Sequence, residues 1–565
     1  HGHFWFLLQK QEKEIPTLKG LDLVTLQVRR HWTQILEKNT RAKLERHVLP
    51  DYLKSQRWFG GKARTIRKTT IVEHRAMDQK KSSLVLNVKV EYTVGSAETY
   101  VLPVAFASND HLDEQIHEPK SVMAIIQVGD KKGILYDGIY NEGFRASLLS
   151  LIVQNRKISA EHGEIVSTVS KKLGRWFKSL AIEQSRVLKA EQSNSSILYD
   201  DKLFLKLYRR LESGINPDPE IIRFLSEQTK FENVPLFAGS LEYRQESKEP
   251  QVVALLQQFV PNEGDAWELT LSSISQYFER VLAKEIEPDF KLPPFFDAAT
   301  EDFDPDLLEL IGGVTLEQAF HLGTRTGEMH LALASSNDHP DFAPEPFSKL
   351  YQRSLYQALR SGAIQSLQGL EKNINVLPEE HHQNAREILE RKPEIIGHLR
   401  KITQGRISAH KIRIHGDYHL GQVLFTGKDF VIIDFEGEPA RPTSERRLKY
   451  SCFRDVSGMM RSYHYAVYTA LFQRSSIRKE DVRKIEKWTE PWYRAVASTF
   501  LRAYMEKVNH APFVPKEKQE LEILLNVFLI NKALYELDYE LNNRPDWIVI
   551  PVQGLNMILE DLRHS

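Results

Sequence analysis

The sequence predicts an α+β chain of several folding units, β-rich in its first half and mainly helical in its second. Apolar runs of strand character, Ser83 to Val90, Glu98 to Ala105, Ala124 to Val128, Val187 to Glu191, Ser195 to Tyr199, Lys202 to Tyr208 and Val252 to Val260, all lie before Pro261. After Pro261 the apolar residues recur at helical spacing through Leu316 to Ala334, Pro346 to Leu359 and Val482 to Val508, the last interrupted or restarted at Pro491. At 565 residues the chain exceeds what one core supports.

Taken in order, Phe4 to Leu8 reads as a short aromatic strand, and Gln9 to Glu14 with Pro16 as a connector. Residues 1–40 are therefore expected to be the tail of a preceding domain plus a connector. A helix ending near Pro50 opens a small α/β cap module over 41–155, in which Trp58 and Phe59 of the run Gln56-Arg57-Trp58-Phe59-Gly60-Gly61-Lys62 are expected to be packing anchors. The later strands, with one helix near Pro219 to Phe231, define a β-rich lobe over 156–262. The rest, 263–565, is the helical lobe.

Lys plus Arg is 76 and Asp plus Glu is 76, so no basic excess marks a nucleic-acid binder. A single cysteine, Cys452, rules out intramolecular disulfides and Cys-rich zinc sites and points to a reducing, cytoplasmic setting. The apolar run Ile523 to Ile530, interrupted by Asn526, is too short to span a membrane, so no membrane partner is expected. The opening His1-Gly2-His3-Phe4-Trp5-Phe6 has neither an initiator Met nor signal-peptide character, and the chain is expected to begin inside a longer polypeptide.

The chemistry concentrates in Ile414-His415-Gly416-Asp417-Tyr418-His419-Leu420-Gly421-Gln422, followed by Val431-Ile432-Ile433-Asp434-Phe435-Glu436. Protein kinases carry H-R-D-x-x-x-x-N and then D-F-G, and the spacing here reproduces both, with Glu436 in the glycine's place. A hydroxyl attacking a γ-phosphate needs a carboxylate to orient it and take its proton, the role expected of Asp417. Magnesium on the triphosphate needs oxygen ligands, expected from Gln422 and Asp434.

The nucleotide lobe is expected upstream. Lys206, alternating with leucines on Leu203 to Tyr208, is the candidate grip on the ATP phosphates, with Glu220 on the next helix as its partner. No G-x-G-x-x-G precedes the strand; Gln192, Ser193, Asn194 and Ser195 form a small polar hairpin that offers donors to phosphate. The strand end at Gln258 and Val260 suits a hinge meeting the adenine edge.

The run Arg413 to Pro442, with Ser444-Glu445-Arg446-Arg447 and Arg454-Asp455-Val456-Ser457-Gly458-Met459, resembles bacterial maltokinases, of the aminoglycoside-phosphotransferase branch of the protein-kinase-like fold. Further matches are Gln56 to Lys62, Gly214-Ile215-Asn216-Pro217, Phe259-Val260-Pro261-Asn262 and Tyr539-Glu540-Leu541-Asn542-Asn543-Arg544-Pro545. The resemblance implies a bilobal fold and phosphorylation of maltose by ATP, with Mg2+, at the anomeric hydroxyl; the product, maltose 1-phosphate, feeds α-glucan synthesis. Gln422 is the maltokinase form of the metal-binding Asn. The opening residues are similar to the closing strand of trehalose synthases, which implies a covalently fused trehalose synthase upstream.

At about 100° per residue, Lys532, Tyr535, Glu536, Tyr539 and Glu540 share one face of a helix over Ile530 to Leu541, and Leu534, Leu537 and Leu541 share the other. Tyrosine rings cover sugar C–H groups while Lys and Glu bond hydroxyls, so Lys532, Tyr535, Glu536 and Tyr539, with Glu436 beside Asp434, are the expected acceptor contacts, and Arg544 beyond is expected to meet the sugar or the transferring phosphate. The family resemblance places maltose on this helix. Two alternatives stay open: a kinase for glucosamine or an aminoglycoside, which needs an acidic acceptor pocket, and a catalytically silent kinase-like module partnering trehalose synthase.

Overall fold

In a computed structural model, the β-rich half of the chain folds as two sheets. The structure describes residues 23–78, 81–108, 118–188, 193–284, 288, 290, 292–296, 303–473 and 479–564. The aromatic strand expected at Phe4 to Leu8 lies outside them. The chain forms two units, His1–Asn216 with Phe237–Phe259, and Pro217–Leu236 with Val260–Ser565.

In the first unit, β1 (Thr25–Val28), β2 (Ile66–Ala76), β3 (Ser83–Tyr92), β4 (Glu98–Ser108), β5 (Val122–Val128) and β6 (Lys131–Asp137) order as β1-β5-β6-β4-β3-β2. Strand β1 pairs with β5 in parallel, while β2, β3, β4, β6 and β5 pair antiparallel. Alternation delivers Leu86, Val88, Leu102 and Val104 to one face, where they meet Trp32, Ile35, Leu49, Leu53, Trp58 and Phe59. Trp58 and Phe59 are thus packing anchors, and a side chain at Gly61 would run into the Phe59 and Tyr92 rings.

Two expectations shift here. Strand β1, Trp32 and Ile35 fall inside the stretch 1–40 expected to be tail and connector, yet they are cap core: Leu26 and Ile35 are fully buried. Pro50 does not end a helix: the helical run passes from Lys38–Lys43 through a π turn at Leu44–Val48 into Leu49–Ser55, and the π turn lies just before the proline, which lacks the N–H an α-helix interior would use.

The second sheet contains β7 (Lys157–Ser159), β8 (Glu164–Val169), β9 (Ser185–Leu188), β10 (Asn194–Tyr199), β11 (Leu203–Tyr208), β13 (Phe237–Arg244) and β14 (Gln251–Gln258), in the order β7-β8-β13-β14-β11-β10-β9, all antiparallel. Helix α1 (Glu142–Val153) lays Phe144, Leu148 and Ile152 on its leucines. The short β12 (Arg210–Leu211) pairs with β4, and the preceding Arg209 ties the sheets together. Its guanidinium donates to Asp137 at 2.8 Å and to Ser195 Oγ at 2.8 Å and lies 4.6 Å from the Trp58 ring.

The second unit is built on helices: α2 (Pro217–Gln228), α3 (Ala266–Ala283), α4 (Gly313–Leu333), α5 (Lys349–Asn373), α6 (Phe453–Gln473), α7 (Thr489–Val508), α8 (Lys518–Asn543) and α9 (Val549–His564). Gly323 lets α4 lie against the Phe500 carbonyl of α7. The helix expected from Pro346 starts at Lys349, because Ser348 Oγ accepts the Tyr351 N–H as N-cap while Glu345–Pro346 (β15) pairs with His410–Lys411 (β16). Likewise α7 begins at Thr489, two residues before Pro491, which the first turn accommodates. A hairpin of β17 (Val423–Phe425) and β18 (Phe430–Ile432) carries the motif residues. Among the described residues no helix is long and apolar enough to cross a membrane.

Candidate active site

The loop from His415 to Gln422 is held by helix α6. Asp455, in its first turn, accepts the N–H groups of His415 at 2.7 Å and Gly416 at 2.9 Å. The oxygen that accepts from His415, Oδ2, also takes Nε2–H of His330 at 3.1 Å, and His330 Nδ1 meets the Tyr504 hydroxyl at 3.0 Å. Burial raises the Asp455 carboxyl, but the hydrogen bond and charge of His330 prevail and hold it below the usual carboxylate range. Three residues on, a Cβ at Gly458 would lie 2.6 Å from the Tyr418 carbonyl, so glycine is what allows the loop to rest on the helix. The Arg454-to-Met459 motif therefore works by shape and by hydrogen bonds.

Packing fixes the loop's other side. His415 donates Nε2–H to the Ile433 carbonyl at 2.8 Å and packs at a tilt against Phe435, 4.8 Å between centroids. Burial pushes the His419 imidazole down although the Asp417 charge pulls it up, and the neutral ring accepts the Gly421 N–H at 3.1 Å. Asp417 is left at the surface of a cavity, its Oδ1 3.8 Å from Lys532 Nζ.

Asp434 has left-handed backbone, φ +65°. A non-glycine residue held there marks a constrained position. Its Oδ2 accepts Gln422 Nε2–H at 2.9 Å, so both motif residues converge. Phe435 turns inward, its N–H donating to Asp218 Oδ1 at 3.0 Å, and the turn at Phe435 and Glu436 brings Glu436 back beside Asp434. Carboxylate oxygens of Asp218, Asp434 and Glu436 lie within 4.8 Å of one another. Glu436, expected on the acceptor, thus belongs with Asp434 instead. Asp218, in the first turn of α2 and unnoticed in the sequence, joins them; the signal was an acid between two prolines at a helix start.

Glu220 is a second correction. Both its oxygens are engaged by arginines of its own unit, Arg447 at 2.6 Å and Arg413 at 2.8 Å. Burial raises its carboxyl, but the two guanidiniums hold it below the usual range.

The cavity at Asp417 measures about 550 Å³ and is lined by the catalytic loop, by Glu438, Arg441, Tyr450 and Arg454, by the α5 face around Leu355, Gly362 and Ser366, and by Asn531, Lys532, Tyr535 and Asp538 of α8. Lys532 Nζ lies 4.9 Å from the Tyr535 ring. Burial and the nearby Glu438 and Asp417 charges raise the Tyr535 hydroxyl well above its ordinary value. Glu438 is clamped by Arg441 at 2.6 Å and Arg454 at 2.9 Å. Glu438, Arg441 and Arg454 stand in the runs that carry the resemblance, which assigns them no role, and Asp538 falls outside the polar face expected of its helix; only the tertiary structure brings the four to one cavity.

The expected polar face of α8 divides. Glu536 accepts from the fully buried Arg461 at 2.6 Å, and Glu540 takes the Tyr465 hydroxyl and Arg544 at 2.7 Å. Arg461 and Tyr465 are four residues apart on α6, as are the two glutamates on α8, so the pairs zip the helices together. Glu536 and Arg544 are thereby taken from the acceptor, and Tyr539 is exposed, 5.8 Å from the Arg544 guanidinium. Leu534, on the opposite face of the helix from Lys532 at about 100° per residue, also lines the cavity.

In the first unit, Lys206 is buried on β11 with its Nζ 5.5 Å from the Tyr208 ring. Ser193 precedes β10, Asn194 and Ser195 lie on it, and Gln192 falls outside the described residues. Ser195 is corrected from phosphate donor to structural acceptor, since its hydroxyl receives Arg209. Gln258 ends β14, and Val260, two residues on, belongs to the second unit.

The model of the maltokinase N-terminal cap domain matches residues 52–140, the region of β2 to β6. A glucosamine kinase of Mycolicibacterium smegmatis is 21% identical over 444 residues, 78% of this chain and 93% of that protein. One of Streptacidiphilus jiangxiensis is 20% identical over 375 residues, 66% of this chain and 72% of that protein. A solved structure of glucosamine kinase in complex with glucosamine, ADP and inorganic phosphate superposes with a TM-score of 0.56 at 16% identity, covering 87% of this chain and 94% of that one. Residues 52–140 are thus similar to a maltokinase cap domain, the chain has the α+β kinase-like fold, and the cap match with these likenesses supports a sugar kinase.

Proposed function

We propose that this chain phosphorylates maltose with ATP at the anomeric hydroxyl, giving maltose 1-phosphate and ADP. The observation that carries the reading is Asp417 on the wall of a cavity of about 550 Å³ in which Lys532 faces Asp417, Arg441 and Arg454 clamp Glu438 and Arg441 reaches Glu445, so that among the described residues Asp538 alone of the lining carboxylates has no ion pair. A pocket so neutralised, with the Tyr351, Tyr450 and Tyr535 rings, suits a neutral sugar of more than one ring better than an ammonium-bearing one. The cap domain points the same way.

Asp417 accepts the hydrogen bond of the anomeric hydroxyl, orients it and takes its proton as the oxygen attacks phosphorus. Lys532 steadies the carboxylate and the hydroxyl. Three carboxylates and an amide are an all-oxygen donor set that fits magnesium, so Asp434, Gln422, Asp218 and Glu436 are the residues that would hold it. Bound there, the ion would offset charge on the transferring phosphoryl group. Lys206 is the proposed phosphate grip on the nucleotide side.

A coupled assay of ADP release across maltose, glucose, glucosamine and kanamycin tests the reading. The expected order places maltose first in kcat/KM; preference for glucosamine, the named substrate class of the relatives, overturns it. The aromatic opening residues support a fused enzyme that makes maltose from trehalose, which the full-length gene product should then do.

A further inference from the structure

We infer that Asp538 and Ser366 form a distal subsite that reads the second sugar ring and makes the enzyme select a disaccharide over a monosaccharide; this rests on the maltose reading above. The cavity is a trough along α8, and Asn531, Lys532, Tyr535 and Asp538 line it. Lys532 marks its reacting end, 3.8 Å from Asp417. Asp538 is six residues further on, about 9 Å along the axis at 1.5 Å per residue. That separation exceeds one pyranose ring and falls within the length of two.

Helix α5 supplies the facing wall. Ser366 is 7% exposed, lines the cavity, and has no hydrogen-bond partner among the described residues. The side chain is packed into the wall while its hydroxyl stays reachable from the cavity, so it is open to a polar ligand rather than tied to the protein. One turn further, a Cβ built on Gly369 would lie 3.7 Å from Asp538 Oδ1, so the carboxylate stands beside the same end of α5. Asp538 also has no ion pair among the described residues, unlike Asp417 and Glu438. A carboxylate accepts hydrogen bonds from vicinal hydroxyls, and the serine offers both a donor and an acceptor. A monosaccharide seated at Asp417 would leave both groups unused.

The test measures kcat/KM for maltose and for glucose, and calorimetric binding of maltose, in the wild type and in Asp538→Ala, Asp538→Asn and Ser366→Phe. Asp538→Ala should raise KM for maltose about tenfold, roughly 1.4 kcal/mol, without moving kcat/KM for glucose or KM for ATP. Ser366→Phe fills the distal end and should abolish maltose binding while glucose turnover persists. Asp538→Asn still accepts hydroxyl hydrogen bonds and should stay close to the wild type; a loss as large as that of alanine would assign the position to an ammonium group and overturn the inference. Equal losses on both sugars, or no loss on either, also overturn it. A wild type that binds maltose without phosphorylating it sinks the proposed reaction while the variants still decide the subsite by binding; a wild type that does not bind maltose sinks the subsite itself.

Discussion

Asp417 and Asp434 sit five and twelve residues from Gln422, yet their surroundings give them separate tasks. Asp417 faces the cavity and Lys532, whereas Asp434 is turned by its left-handed backbone toward Asp218 and Glu436. Asp417→Asn should therefore keep nucleotide affinity and lose on the order of 10²–10⁴ in kcat, while Asp434→Ala should abolish magnesium-dependent nucleotide binding. Stopped-assay turnover and fluorescent-nucleotide titration separate the two; normal turnover in a folded Asp417→Asn protein would exclude it as the base. Asp455 acts at one remove. Because its folded carboxyl lies below the usual range, the stability it adds is present above the unfolded pKa of about 3.9 and disappears as pH falls through that value toward its folded one. Asp455→Asn should cost roughly 3–5 kcal/mol at pH 7 and flatten the fall of Tm with acid below about pH 4 relative to wild type. An equally steep acid limb in the variant would mean that other carboxylates carry it.

Helix α8 shows how one face can serve two neighbours. Amphipathic spacing identified the helix, and its leucine side packs as expected, with Leu537 fully buried. The polar side was divided by α6, because a buried guanidinium such as Arg461 requires a carboxylate and takes Glu536. Kinetics should reflect that division. Tyr535→Ala and Lys532→Ala are each expected to raise KM for maltose about tenfold, near 1.4 kcal/mol, with KM for ATP unmoved, whereas Tyr539→Ala should change neither. If Tyr539→Ala behaves like Tyr535→Ala, the acceptor reaches beyond the cavity seen here.

Across the whole molecule, the cap begins earlier than composition suggests. Leu26, Trp32 and Ile35 are buried in its core, and burial of such side chains is worth about 1.5–3 kcal/mol each, in sum comparable with the stability of a domain. Removal of residues 1–36 should accordingly lower Tm sharply or yield insoluble protein, as scanning calorimetry and solubility would register. A deletion that melts like the full chain would return these residues to the connector.

The α+β class, most strand positions and the meeting of Gln422 with Asp434 were legible because each depends on local spacing: period two, period 3.6, and a loop and a strand end twelve residues apart. Partner choice was not legible. Glu220 and Asp218 are two residues apart on one helix, and only the arrival of Arg413 and Arg447 from more than 190 positions away decided that the first is a structural anchor. Ser195 was lost to Arg209 and Glu536 to Arg461 in the same way, since a buried guanidinium must be met by whichever acceptor the fold brings near. The motif was written in the chain; which polar side chains were left over to meet a ligand was decided by tertiary packing, because burial makes hydrogen-bond satisfaction obligatory and distance in sequence places no limit on who satisfies it.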